Sequence, residues 1–188
     1  MPEQSEESSM GEEQTNEKRG MIPAIADALL APLGQMTANF AMLESQVSFS
    51  IGFLIGGEQR LGNIVTADLS FMQLVNIFHA LVLYRSEEEP EVARTVGDLR
   101  KRLIKAAEQR NTLTHSLWGA GPEQGVSTRL KQTTGSKGGW KLSAETVSPD
   151  DISGVAEDFA VLTSDIVDLI FLRGVRKQTE GPERTLVD

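Results

Sequence analysis

Residues 90–115 read PEVARTVGDLRKRLIKAAEQRNTLTH, and this stretch decides how the chain folds. Val92, Val96, Leu99, Leu103 and Ala106 recur at alternating steps of four and three, which holds apolar side chains on one face of an α-helix. Continued forward, the seam meets Arg110 and Leu113. An arginine on a core-facing stripe is costly unless a partner satisfies it. One reading is that Arg110 lays its methylenes on the core and keeps its guanidinium at the surface or on a carboxylate, with Glu44 the candidate partner. The other is chemical, because Asn111 and His115, one of two histidines in the chain, follow within a turn and a half.

The same spacing organises the sequence on either side. Upstream, Ile22, Ala26, Leu29, Leu33, Met36, Phe40, Leu43 and Val47 form a regular seam. Pro32 and Gly34 interrupt it, so a kink or a fresh helix start is expected there, with the main helix over about 32–54 and Gly56-Gly57 as its stop. Ser70 and Gln73 form a capping box ahead of Leu74, Ile77, Phe78, Leu81 and Val82. The charged run 86–89 closes that second helix, and Pro90 opens the third. Downstream, Gly119, Gly121 and Pro122 break the helix. Val126, Thr128 and Leu130, then Trp140 and Leu142, alternate with polar residues across a Gly/Ser/Lys turn, which predicts a two-stranded hairpin. Ser148-Pro149-Asp150-Asp151 carries the start signals of a last helix, with Ile152, Val155, Phe159, Leu162, Ile166 and Leu169 on its apolar face and Arg173-Gly174 at its stop. The expected architecture is all-α: a four-helix bundle over 21–175, with a small β-hairpin inserted between the third and fourth helices. Residues 1–20, acidic and without an apolar period, read as a disordered tail, and 176–188 as a polar C-terminal tail.

Composition narrows the function classes. A chain of 188 residues suits one domain with a full core. With no cysteine there is no disulfide framework, thiolate metal site or cysteine nucleophile, which fits a cytoplasmic protein. No signal peptide or membrane span is expected, and no membrane partner. The net charge of −9 is unevenly spread. Residues 1–20 hold six glutamates against Lys18 and Arg19, whereas residues 94–141 hold ten Lys or Arg against Asp98, Glu108 and Glu123, a balance of +7. That stretch reads either as a solvated helix face or as a polyanion-binding patch including Arg102 and Lys105. In the hairpin, Arg129, Lys131, Lys137 and Lys141 surround Trp140, a mixture suited to backbone contact and base stacking on single-stranded RNA. The plainer reading is that Trp140 covers the bundle end and the lysines protect an edge strand. Trp118 reads as packing.

Several catalytic classes find no motif here. There is no G-x-x-x-x-G-K-[ST] loop, no G-x-G-x-x-G after a strand, no G-x-S-x-G elbow and no H-E-x-x-H. His79, flanked by Phe78 and Leu81, reads as a core or boundary residue, and no metal or other cofactor is expected. What remains is Arg110, Asn111 and His115. Asn111 and His115 share a helical face, and Arg110 is rotated about 140 degrees from His115, so meeting the imidazole takes length, a distortion or a second subunit. A histidine near a helix C-terminus is favoured in its protonated form. With an arginine to hold a phosphate, this set suits metal-independent phosphodiester chemistry.

At these residues the chain resembles the HEPN superfamily of helical-bundle domains, marked by Arg, four to six residues, then His on a late helix, often with a polar residue after the Arg. Arg110-Asn111-x3-His115 matches, and the resemblance covers roughly 23–174. It implies a metal-independent endoribonuclease, of a kind found in toxin-antitoxin and phage-defence systems. It further implies a homodimer whose two motifs line one cleft, with RNA as substrate and an antitoxin or other regulatory protein as a further partner. Arg110 would bind the scissile phosphate, His115 transfer protons and Asn111 orient one of them. Members regulated by adenylylation commonly carry tyrosine two residues after the histidine, where this chain has Leu117, so that control is not implied. Other members are non-catalytic dimerisation or nucleotide/RNA-binding modules, which is the alternative reading.

Overall fold

The computed structural model describes residues 25–57, 59–87, 89–134, 140–172 and 175. The expected tails at 1–20 and 176–188, and the stop at Arg173-Gly174, lie outside them. Among the described residues there are five α-helices and a three-stranded sheet: α1 Asp27–Leu54, α2 Gln59–Thr66, α3 Phe71–Arg85, α4 Pro90–Thr114, β1 Leu117–Ala120, β2 Ser127–Thr134, β3 Trp140–Val147 and α5 Pro149–Val167, with a π-helical turn at Asp168–Leu172. The chain is mostly helical, with one helix and one strand more than its sequence led us to expect.

The capping signals act as read. Ser70 accepts from the Gln73 amide while the Gln73 side chain accepts from the Ser70 amide, and Ser148 and Asp151 repeat this reciprocal pair at α5. Pro90 and Pro149 each sit in a first turn, where a missing N–H costs nothing. Gly56 and Gly57 have φ of 144° and 79°, values that end α1 at no Cβ cost. Pro32, by contrast, does not start a new helix, for α1 runs through it from Asp27. It lies close enough to the N-terminus that a single backbone hydrogen bond is forgone, while Leu29 and Met36 on either side are fully buried. The Ala26 amide donates to the buried Ser127 hydroxyl at 2.9 Å, which ties the start of α1 to β2.

The additional helix, α2, packs on α1 through small and polar groups. A Cβ on Gly62 would stand 2.5 Å from the Gly52 Cα, and Ser48 hydrogen-bonds Thr66 at 2.6 Å. Its apolar Leu61, Ile64 and Val65 remain exposed. The additional strand, β1, pairs antiparallel with β2, which pairs antiparallel with β3, giving the order β1-β2-β3 between α4 and α5 in sequence.

Helix α1 is the hub. α2, α3 and α5 pack directly on it, and α4 bridges α3 and α5. The meeting point is Phe40, whose ring lies 4.8 Å from Phe71 of α3 and 5.4 Å, edge-on, from Phe159 of α5. His79 on α3 is half-buried. Burial, then the Arg100 cation, hold its pKa below the ordinary 6.5. The neutral ring is therefore favoured in the fold, the unfolded chain binds the proton more tightly, and stability falls as the pH drops below 6.5. In His79→Gln this part of the acid sensitivity disappears, as urea midpoints on the two sides of that pH will show.

Candidate functional site

Arg110 reaches the α4 surface by way of Phe40. Its guanidinium carbon stands 5.3 Å from the centre of that ring, so the apolar seam supplies a π face where a cation is stabilised rather than stranded. The residue is half-buried, and its Nη1 donates to Asn111 Oδ1 at 3.0 Å. α1 thus satisfies the seam arginine with an aromatic ring in place of a carboxylate. Glu44, the candidate partner whose alternative reading was an exposed helix charge, does not pair with Arg110. One turn further along α1 it lines a groove of about 580 Å³ with Asn63, Thr66, Leu69 and Leu74, on the α2 and α3 side.

The end of α4 is held by its own side chains. Thr114 donates to the Arg110 carbonyl at 2.8 Å, Ser116 to the Thr112 carbonyl at 2.5 Å, and buried Trp118 through Nε1 to the Leu113 carbonyl at 3.2 Å. The Thr112 and Leu113 carbonyls belong to the last turn, which has no helical donors for them. Trp118 packs, as its sequence position implied. His115 is the capping residue, its amide bonded to the Asn111 carbonyl at 3.0 Å, and its side chain is exposed. Among the described residues the imidazole makes no hydrogen bond. Asn111, also exposed, lies on the His115 face while its Oδ1 takes the Arg110 N–H. The amide is therefore bonded to Arg110 and shares a helical face with His115. The result is a shallow polar edge presenting a fixed guanidinium, an amide and a free imidazole.

The wider basic surface is only partly retained. Lys105 and Lys131 are exposed. Arg102 forms an ion pair with Asp165 on α5, so its charge is locally balanced. Arg129 is less exposed than its sequence neighbourhood suggested: its side chain is only 12% exposed, and it pairs with Glu145, directly opposite on β3. Strand alternation turns it toward the helices, where it joins Gln109, Thr112 and Asp151 around a cavity of about 250 Å³. Arg129 therefore offers little charge to a nucleic acid. The side chains of Trp140 and Lys141, and Lys137 with them, fall outside the described residues.

No group of three or more His, Asp or Glu able to hold a metal ion occurs among the described residues, and no described helix is long and apolar enough to cross a membrane. Phe40 is the contributor that sequence reasoning left out of the site. It stood in the α1 seam, but nothing in the pattern marked that ring as the seat of Arg110. Compared with protein-family models, with curated proteins and with solved structures, the chain gives no match.

Proposed function

We propose that this chain is a HEPN-type helical bundle acting as a metal-independent endoribonuclease, with its site at the end of α4. The observation that carries the reading is the Arg110–Asn111–His115 edge: a guanidinium seated on Phe40 and bonded to Asn111, beside an exposed imidazole with no hydrogen-bond partner among the described residues. Attack of a ribose 2′-oxygen on the adjacent phosphorus forms a P–O bond, breaks the bond to the 5′-oxygen and leaves a 2′,3′-cyclic phosphate. Arg110 binds the phosphate and stabilises the extra charge of the pentacoordinate state. His115 moves a proton at a ribose oxygen, and Asn111 orients the groups between them. Exposed Lys105 and Lys131 add phosphate contacts without base readout. RNA is the substrate, in the cytoplasm, and an antitoxin or other regulatory protein is the partner this activity calls for.

One observation favours a second reading, a non-catalytic binding module. Arg110 is engaged with Phe40 at the point where the helices meet, a role it would fill without any chemistry. Incubating the full chain with a mixed RNA pool in EDTA and mapping product ends separates the two. Cleavage leaving 2′,3′-cyclic phosphate and 5′-hydroxyl ends is expected; intact RNA, retained by the protein, supports the binding module instead.

A further inference from the structure

Helix α1 carries two charged residues, Asp27 and Glu44, in 28 positions. A long helix with so little charge can be covered on its outer face as well as its inner one. Its inner seam is used by the core, yet a second seam runs along the outside: Ala31, Gln35, Ala38, Met42, Ser45 and Phe49, again at steps of four and three, all six exposed and none charged. Met42 is 63% exposed and Phe49 41%. The flanks continue it. On α2, the neighbouring helix, Leu61 and Val65 are exposed, and Ser45 of the seam borders the groove between α1 and α2 that holds Glu44. On α5, Ala160 and Ser164 are exposed and uncharged.

From these features we infer that a second copy of this chain covers this face, with the two α1 helices antiparallel about a two-fold axis level with residue 40. Side-chain sizes single out a second copy. Turned antiparallel about that level, Ala31 meets Phe49, Gln35 meets Ser45 and Ala38 meets Met42, so each bulky residue faces a small one and the seam complements itself. A parallel pairing would instead stack Phe49 on Phe49 and leave a gap at Ala31. The area is sufficient: a seam of about 27 Å, flanked at helix spacing on both sides, covers on the order of 700 Å², close to the roughly 800 Å² per partner of a stable interface. Its lack of charge is the composition of an interface centre.

This contact is independent of the nuclease reading. Met42 lies about 160 degrees round α1 from Phe40, so the Arg110 edges of the two copies face outward, away from the axis. A cleft shared by two such edges would need another contact.

Because the chain has no cysteine, the geometry is directly testable. Gln35→Cys and Ser45→Cys are made as two separate full-length proteins, oxidised alone and as a mixture. In the antiparallel pair identical positions are about 15 Å apart along the axis, beyond disulfide reach, while position 35 faces position 45. The expected result is a mixed disulfide dimer from the mixture and none from either protein alone. Disulfides within a single variant, or no disulfide in the mixture, overturn the proposal; the second outcome includes a face covered by the chain's own residues 1–24. Met42→Glu is expected to convert the dimer to a monomer in sedimentation with its helical signal unchanged, and a dimer that survives overturns it as well.

Discussion

Phe159→Ala lowers the stability of the chain by about 3–5 kcal/mol, the cost of removing a fully buried aromatic from a packed core. Domains of this size are stable by roughly 5–15 kcal/mol, so the substitution removes a large share of the total. The expectation rests on position. Phe159 meets Phe40 edge-on, Phe40 meets Phe71, and Arg110 stands over the Phe40 ring, so α1, α3, α4 and α5 converge within two ring contacts. The cavity cannot be refilled by neighbours that already have fixed partners, which places the cost at the upper part of the range. Guanidinium denaturation of wild type and Phe159→Ala measures it. A loss below about 1 kcal/mol, the size of an ordinary surface effect, would mean that this cluster does not organise the bundle.

The cluster also shows why part of the architecture was legible and part was not. Seams of 3.5-residue spacing in α1, α4 and α5 are long, and the cap chemistry at the starts of α3 and α5 and at the end of α1 is local: Ser70 with Gln73, Ser148 with Asp151, Gly56 with Gly57. Such features need no knowledge of neighbours. Helix α2 escaped because it inverts the usual pattern, turning Gly62 and Thr66 toward α1 and Leu61, Ile64 and Val65 outward; with eight residues it also gives too few turns for a period. Strand β1 escaped because four residues containing Gly119 resemble the end of a helix, and only pairing with β2 makes them a strand. Of the two outcomes read at Pro32, a kink or a fresh helix start, the fresh start does not occur, since α1 runs through it with Leu29 and Met36 buried.

The same division holds at the site. Arg110, Asn111 and His115 stood out because an arginine broke an apolar seam, and the structure brings the first two into a hydrogen bond at the end of α4. The partner of the arginine was not legible, because a cation resting on an aromatic ring leaves no charge pattern in sequence, whereas Glu44 was a candidate carboxylate that lines a groove instead of pairing with Arg110. Arg129 looked like a surface charge because Lys131, Lys137 and Lys141 are near it in sequence. Register sets it opposite Glu145, and the pleat turns it inward.

The central claim is that the exposed imidazole at the end of α4 moves protons rather than supports the fold, and His115→Ala tests it in one experiment. The side chain is exposed and makes no hydrogen bond among the described residues, and its capping role is carried by its backbone amide, so stability should change by less than about 0.5 kcal/mol. Losing a proton-transfer group should slow cleavage by about 10²-fold to 10⁴-fold. The measurement is the RNA cleavage rate in EDTA of wild type and His115→Ala, with thermal melting of the same samples. The account predicts cleavage by wild type, its loss in the variant and superimposable melting curves. Cleavage at the wild-type rate by a folded His115→Ala protein would contradict it.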